Sequence, residues 1–284
     1  MIGISGRYLA AALAIVSGWT QASIASAALL STDSFSYSPA GSDLVGKNGG
    51  TGWTGAWTAG GFNASINNNY DLATGSLQFG PLLTSGDRVS TLAQNAISGA
   101  QRNFAQPIGA GDTVTRYLSV LLRPEGVLGG GAFSGFFGVY LDGNGINGND
   151  AFIGKPGSGA TNRWVVETRG GPAQFASTIA PVVNETALLV LKAQLLPGND
   201  LFTLYVNPVP GQPEPTIGVL KNDLDLGAVS GLVLYSTGAY SLDEIRWGET
   251  FADVVPVPEP ASWLLLMLGA SIFAMFRRRT RAFC

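Results

Sequence analysis

Histidine is absent from this chain, and cysteine occurs once, at the last residue, Cys284. Without histidine, neither a Ser-His-Asp nor a Cys-His catalytic arrangement can form, and a histidine-ligated zinc site is excluded as well. A single cysteine also excludes an internal disulfide. The folded part must therefore be stabilised by a hydrophobic core, which a chain of 284 residues is long enough to bury.

Charged residues are also scarce. Lys, Arg, Asp and Glu make up 12% of the chain, and the formal net charge is −3, whereas about 25% is typical of soluble domains. The only run of basic residues is at the C-terminus, around Arg277 to Arg281. An acidic domain without a basic cluster repels phosphate backbones. The sequence therefore predicts no nucleic-acid partner.

The N-terminus carries the pattern of a secretory signal peptide. Arg7 precedes a short apolar run, 8–16, and a stretch of small residues then ends in Ala25-Ser26-Ala27. A positive charge, a short apolar core and an A-x-A site are typical of signal peptides. The apolar run is too short for a membrane-spanning helix, which needs about 20 residues. We predict a signal peptide over 1–27, with Ala25 and Ala27 as the cleavage-site residues recognised by the Sec and signal peptidase machinery.

The C-terminus combines three elements in a fixed order. They are the tripeptide Pro258-Glu259-Pro260, the apolar run 261–276, and the basic residues Arg277, Arg278 and Arg279. As a helix, the apolar run would be about 24 Å long, which makes a short membrane span. The arginines would stay on the cytoplasmic side by the positive-inside rule. We predict a transmembrane helix over 261–276 that holds the preceding domain outside the inner membrane.

This region, 254–284, closely resembles the PEP-CTERM sorting signal. The resemblance implies a transient inner-membrane intermediate, cleavage by an exosortase near Pro258 to Pro260, and transfer to the cell surface or the extracellular matrix. It also implies an association with exopolysaccharide in biofilm-forming bacteria.

Between the two terminal segments, over 28–253, short apolar runs alternate with Gly, Asn, Pro and Asp. This pattern is typical of β-strands joined by turns. We predict strands at 33–38, 76–80, 87–93, 114–123, 133–141, 151–155, 163–168, 187–195, 201–207, 231–236 and 241–248. The clearest hairpin joins 187–195 to 201–207, and the segment 133–140 is apolar on both faces, as in a central strand. So many antiparallel strands are best buried as two stacked sheets.

Two segments resemble a known family. Asp33-Ser34-Phe35 and the segment 242–248, Leu-Asp-Glu-Ile-Arg-Trp-Gly, are similar to the opening and closing strands of the concanavalin A-like, or laminin-G-like, jelly roll. The resemblance implies that the terminal strands lie side by side. The predicted fold class is all-β, a two-sheet antiparallel β-sandwich flanked by a signal helix and a transmembrane helix.

No catalytic residue is assigned. Glycosidases on this fold use paired carboxylates, but the acidic Glu-x-Asp-x-x-Glu strand motif of those families is absent. The nearest pair at strand spacing is Asp223 and Asp225, which we interpret as a solvated edge or turn. Glu167 has no second acid nearby in sequence, and we interpret it as an outward-facing charge. Asp243 shares strand parity with Ile245 and Trp247, and we expect it to point inward in a structural hydrogen-bonding role.

The segment 142–150, Asp-Gly-Asn-Gly-Ile-Asn-Gly-Asn-Asp, is rich in side-chain oxygens. Calcium binds six to eight oxygens from a flexible loop, but the EF-hand pattern fails here. The favoured interpretation is a long hairpin turn, because Asn and Gly tolerate positive φ. The alternative is a calcium site with Asp142, Asn144 and Asp150 as ligands. No other cofactor is predicted.

Trp53 and Trp57 lie four residues apart in a Gly-rich segment. Aromatic faces can stack on sugar rings, so the pair is a candidate carbohydrate platform. The favoured alternative is a core or lid role, since Trp is the largest core-filling residue.

These features lead to one hypothesis and two alternatives. The chain is predicted to be a non-catalytic surface or matrix protein associated with extracellular polysaccharide. The alternatives are a carbohydrate-active hydrolase or lyase on the same fold, and a structural or adhesive module without sugar specificity.

Overall fold

The structure is a computed structural model that describes residues 29–60, 70–91, 98–126, 128, 135–143, 149–157, 162–169 and 174–257. The predicted signal peptide and the predicted transmembrane helix lie outside these residues. Within the described ranges, no helix has the length and hydropathy needed to cross a bilayer.

The described chain is built from strands and one short helix. The strands are β1 Leu29–Asp33, β2 Trp53–Ala59, β3 Asp71–Ala73, β4 Arg88–Thr91, β5 Ser98–Ile108, β6 Val114–Pro124, β7 Phe137–Asp142, β8 Ala151–Lys155, β9 Val165–Thr168, β10 Phe175–Ala176, β11 Ala187–Leu195, β12 Asp200–Val206, β13 Val219–Leu224, β14 Val229–Ser236 and β15 Tyr240–Gly248. The helix α1 is Phe251–Val254.

The strands form two antiparallel sheets, which confirms the predicted two-sheet sandwich. The first sheet has the order β13-β12-β11-β6-β15-β4-β3, with β1 also paired to β15, and the second has the order β10-β9-β8-β7-β14-β5-β2. The predicted hairpin is β11–β12, in which Leu191 pairs with Leu204. The strand predicted to be central is β7, which lies in the middle of the second sheet. The first and last strands lie side by side, with Asp33 opposite Ile245, as the resemblance implied.

The main core fills the space between the sheets. It is formed by alternate residues of each strand, because successive side chains of a strand point to opposite faces. The first sheet supplies Leu118, Val120, Leu189, Leu191, Phe202 and Leu204, and the second supplies Val139, Leu141, Ile153, Val166, Leu232 and Leu234.

A second cluster covers the outer face of the first sheet. Leu121 and Val190 point outward there and pack under Leu77, Leu82 and α1. We call residues 76–85 the covering segment. It is not a strand, so the strand predicted at 76–80 is wrong. The apolar residues Leu77 and Leu82 are there because they pack on the face of the sheet, which an alternating pattern does not distinguish from strand pairing.

The last strand contains a β-bulge that changes which way its side chains point. The pairing with β6 shifts between Asp243 and Arg246, and Glu244 has a φ of 53°. As a result Leu242 and Ile245 both reach the main core, whereas Asp243 turns to the covering segment. The prediction that Asp243 shares a face with Ile245 is therefore wrong, because a bulge inserts one residue into the alternation.

Asp243 still has the structural role that was predicted. Its Oδ2 accepts hydrogen bonds from Ser76 Oγ at 2.5 Å and from the Leu77 amide at 2.7 Å. Burial raises the pKa of Asp243 to about 8. Glu244 accepts a hydrogen bond from the Ser85 amide, and Arg246 donates to the carbonyl oxygen of Leu83. Three neighbouring side chains of β15 thus hold both ends of the covering segment.

Candidate functional site

The outer face of the second sheet carries aromatic and ionisable side chains in cross-strand rows. In one row, Val233 lies opposite Tyr140, Tyr140 opposite Phe152, and Phe152 opposite Glu167. In the next row, Gly231 lies opposite Asp142, and the Arg169 amide donates to the carbonyl oxygen of Asp150 at 2.9 Å. We call this surface the distal face, because it lies on the side of the sandwich opposite the covering segment.

Aromatic rings form the centre of the distal face. Phe136 stacks on Phe152 with their ring centres 5.1 Å apart, and Tyr140 lies 4.7 Å from Phe152. Tyr235 meets Phe136 edge-on at 5.3 Å and is only partly buried. Glycine at position 138 leaves space for the Phe152 ring, since a Cβ there would overlap it. The centre is therefore packed and buried, and Tyr235 brings a phenol ring to its margin.

Glu167 is buried at 3% exposure next to this aromatic cluster, so the prediction of an outward-facing charge is wrong. Burial raises the pKa of Glu167 to about 7, although a hydrogen bond from Gln174 and the charge of Lys221 lower it. Its Oε2 accepts no hydrogen bond from any residue that the structure describes. At neutral pH this carboxyl group is thus divided between its acid and its carboxylate form.

Asp142 and Asp150, two of the predicted calcium ligands, lie at the rim of the distal face. Asp142 Oδ2 accepts a hydrogen bond from Ser230 Oγ at 2.8 Å. Asp150 Oδ1 accepts one from the Gly143 amide at 3.0 Å, and its Oδ2 lies 3.7 Å from Arg169 Nη1. Burial raises the pKa of Asp150 to about 6 and also raises the pKa of Asp142.

The third predicted calcium ligand, Asn144, lies outside the described residues. Among those that are described, no three acidic or cysteine side chains are grouped as metal ligands. The carboxylates of Asp142 and Asp150 instead accept hydrogen bonds that close the turn around Gly143 and hold Ser230 of β14. Calcium binding therefore stays a prediction, and the hydrogen bonds of Asp142 and Asp150 support the interpretation as a hairpin turn.

The two tryptophans of the candidate carbohydrate platform lie elsewhere, in β2. Trp57 is buried, and its Nε1 donates to Asp33 Oδ2 at 2.9 Å. Trp53 is half-buried and stacks on Phe104 at 5.2 Å. The Arg102 guanidinium lies over both indole rings, 5.2 Å from Trp53 and 5.8 Å from Trp57. The indole of Trp57 is therefore part of the core, as the favoured interpretation held.

Asp223 and Asp225 lie at an edge of the first sheet. Asp223 is on the edge strand β13 and accepts a hydrogen bond from Lys221 Nζ at 2.6 Å, while Asp225 Oδ1 accepts one from the Gly227 amide at 3.0 Å. Both aspartates are exposed. They match the solvated edge or turn that was predicted.

Sequence reasoning did not find the distal face. Its members come from the consecutive strands β7, β8 and β9 and from β14, which lies about 60 residues further along the chain. The apolar residues on both sides of β7 predicted that both faces of this strand are buried. Only the cross-strand register shows that Tyr140, Phe152 and Glu167 lie together. No local motif encodes that register.

A PEP-CTERM protein-sorting motif matches residues 256–279. This motif marks the chain as an exported protein with a C-terminal membrane-anchored intermediate that an exosortase processes. The prediction of this sorting signal from Pro258-Glu259-Pro260, the apolar run and the arginines is confirmed. No curated protein matches the chain in sequence.

Several solved β-sandwich domains are similar in fold. The globular domain of Trypanosoma cruzi calreticulin is 12% identical, with a TM-score of 0.45, covering 70% of this chain and 86% of that one. Domain 4 of an extracellular arabinanase from Geobacillus stearothermophilus, solved with arabinotriose, is 16% identical, with a TM-score of 0.48, covering 79% and 94%. A legume lectin-like domain from Entamoeba histolytica is 12% identical, with a TM-score of 0.37, covering 64% and 90%.

Proposed function

We propose that this chain is an exported, exosortase-processed surface or matrix protein whose β-sandwich binds extracellular polysaccharide without catalysing a reaction. The observation that carries the proposal is the sorting motif at 256–279, because export of the sandwich would expose it to extracellular polysaccharide. The absence of histidine from the sequence supports a non-catalytic role.

The rim of the distal face supplies suitable binding groups. Asp142, Arg169, Ser230 and Tyr235 are all half-exposed there. A carboxylate can accept hydrogen bonds from sugar hydroxyls, a hydroxyl can both donate and accept them, and a phenol ring offers an apolar surface with a polar tip. The guanidinium of Arg169 can donate hydrogen bonds to sugar hydroxyls. Because the domain is acidic and carboxyl groups outnumber this one cation on the distal face, a neutral polysaccharide is the ligand class that fits this rim best.

The test is binding of the processed domain, residues 28–257, to a neutral polysaccharide measured by isothermal titration calorimetry. Arg169→Ala should weaken binding severalfold because it removes the guanidinium that would donate hydrogen bonds to sugar hydroxyls. Arg116→Ala is the matched control, since its side chain is 21% exposed, against 24% for Arg169, and it belongs to the first sheet. Undetectable binding by the wild-type domain, or an equal loss in both variants, would overturn the proposal.

One observation favours a second candidate function, glycoside hydrolysis. Glu167, with a pKa raised to about 7, has the ionisation that a general acid requires. Asp150 lies diagonally across the neighbouring strand, and such neighbours are about 7–8 Å apart, within the range of about 6.5–9.5 Å used by inverting enzymes. Burial of Glu167 away from solvent argues against this function. Release of reducing ends from polysaccharide that disappears in Glu167→Gln would establish it, and we expect none.

A further inference from the structure

The described chain ends against the outer face of the first sheet. Helix α1 packs there, and Ser119 Oγ donates to the carbonyl oxygen of Val254 at 2.7 Å. Val254 and Val255 are buried. The Leu83 amide donates to the carbonyl oxygen of Pro256 at 2.9 Å. The backbone is therefore fixed to the sandwich as far as Pro256, and a single residue, Val257, separates this point from the sorting tripeptide.

Val257 is also held at the surface. A Cβ placed on Gly211 would lie 3.3 Å from Val257 Cγ1, so the loop that contains Gly211 passes directly beside it. The point where the chain leaves the domain is thus bordered by the covering segment on one side and by this loop on the other. We call Leu83, Val209, Gly211 and Val257 the exit surface.

The sequence leaves little chain between the exit surface and the apolar run. Only Pro258, Glu259 and Pro260 separate Val257 from residues 261–276. Fully extended, three residues span about 10 Å. The polar headgroup layer on each side of a bilayer is about 5–8 Å thick. With the apolar run inserted, Val257 cannot lie farther from the hydrocarbon than about 10 Å, which is within a few ångströms of the outer edge of that layer.

The composition of the exit surface suits this position. Leu83 is 51% exposed and Val209 is 63% exposed. The ionisable groups beside them are paired: Arg246 lies 2.7 Å from Glu244, and Lys192 lies 2.9 Å from Glu214. A surface that exposes apolar side chains and has its neighbouring charges paired can enter the headgroup region of a bilayer at a small cost in free energy.

We propose that the exit surface lies against the periplasmic leaflet of the inner membrane while the sorting segment is still attached. The first sheet then faces the membrane. The distal face, on the other side of the sandwich, points away from it. This orientation is independent of whether the distal face binds polysaccharide, so a failure of the binding experiment leaves it standing.

Site-specific fluorescence on the full chain tests the orientation. Cys284→Ser removes the single native cysteine, and Leu83→Cys then carries an environment-sensitive fluorophore in vesicles of neutral lipid. The control is Asn103→Cys, because Asn103 is exposed and pairs with Gly231 on the distal face. The label at 83 should shift to the blue and be quenched severalfold more by headgroup-quencher lipids than the label at 103.

A flexible Gly-Ser linker inserted after Val257 provides the second arm. It should reduce the quenching at position 83 towards the value at position 103, because the short tether is what holds the surface down. Equal quenching at both positions in the unmodified chain would overturn the proposal. So would a signal at 83 that falls as the protein is diluted with lipid, since that would assign the exit surface to a second copy of the chain.

Discussion

Asp33 and Arg102 form an ion pair in which each side chain is 1% exposed, and the contact between Asp33 Oδ2 and Arg102 Nη1 is 2.8 Å. The same carboxylate accepts hydrogen bonds from Tyr37 and Trp57, and Arg102 Nε donates to the carbonyl oxygen of Gly55. The pair therefore joins β1, β2 and β5. Arg102 is not marked by a motif, and an arginine facing inward contradicts the usual position of its type.

Removing one partner of this pair should destabilise the domain strongly. Arg102→Ala leaves the Asp33 carboxyl buried without its cation, and such changes cost about 3–5 kcal/mol. Urea unfolding at neutral pH measures the loss. Arg123→Ala, which breaks a half-exposed pair with Glu125, should cost less than about 1 kcal/mol. Similar costs for the two variants would contradict a buried role for Arg102.

Two glutamates should affect the pH dependence of stability in opposite directions. Burial raises the pKa of Glu167 from 4.5 to about 7. Between these values the folded state binds more protons than the unfolded state, so the free energy of unfolding from this group falls as pH rises. For Glu214, burial acts to raise the pKa, but hydrogen bonds from Tyr205, Lys192 and Tyr117 lower it overall. Its contribution is present above the ordinary pKa and is lost on acidification.

Urea unfolding across pH 3 to 8 separates the two groups. Glu167→Gln should make the decline in stability between about pH 5 and 8 less steep, and it should gain relative to wild type most at the upper end. Glu214→Gln should instead lose stability by a nearly constant amount above about pH 5, and this loss should shrink as the pH falls below 4.5. Parallel pH profiles for the wild type and Glu167→Gln would show that this carboxyl group does not titrate as a buried acid.

At the scale of elements, prediction worked where apolar alternation coincides with strand pairing. The bounds of β8 and β11 match the predicted 151–155 and 187–195. Prediction failed for β5, an eleven-residue strand in which Arg102 and several other polar residues break the pattern. The strand expected at 33–38 ends at Asp33 instead, because Phe35 has a φ of 52°. The inward position of Arg102 in β5 depends on its non-local contact with Asp33, which spacing along the chain does not reveal.

The contact between β1 and the start of β2 depends on glycine at position 52. Gly52 has a φ of +78°, and a Cβ there would overlap the carbonyl oxygen of Leu30. Gly55 has a φ of +79° with nothing within 4 Å of the same position. Gly55→Ala should therefore cost only about 1–2 kcal/mol, the usual penalty of a left-handed residue.

Gly52→Ala should cost clearly more than Gly55→Ala in the same urea-unfolding measurement, because it adds a steric overlap with backbone to the conformational penalty. Since the two glycines share the same backbone conformation, the difference isolates the overlap. Equal costs would show that the approach of β2 to β1 is looser than in the structure.

For the whole molecule, the two outer faces of the sandwich differ in what covers them. The outer face of the first sheet is covered by α1 and the covering segment, and the chain leaves the domain on this side at the start of the sorting motif. The distal face of the second sheet carries Asp142, Arg169, Ser230 and Tyr235 at its rim. The C-terminal sorting motif could be predicted from local sequence, whereas this division between faces required the cross-strand register.

The most direct test of the account is the intact mass of the protein recovered from its native bacterium, combined with its cellular fraction. We predict a product in the extracellular or surface fraction that begins at Ala28 and ends within Pro258 to Pro260. A cytosolic protein that keeps residues 1–27 and Arg277 to Arg279 would contradict export, processing and the proposed encounter with polysaccharide.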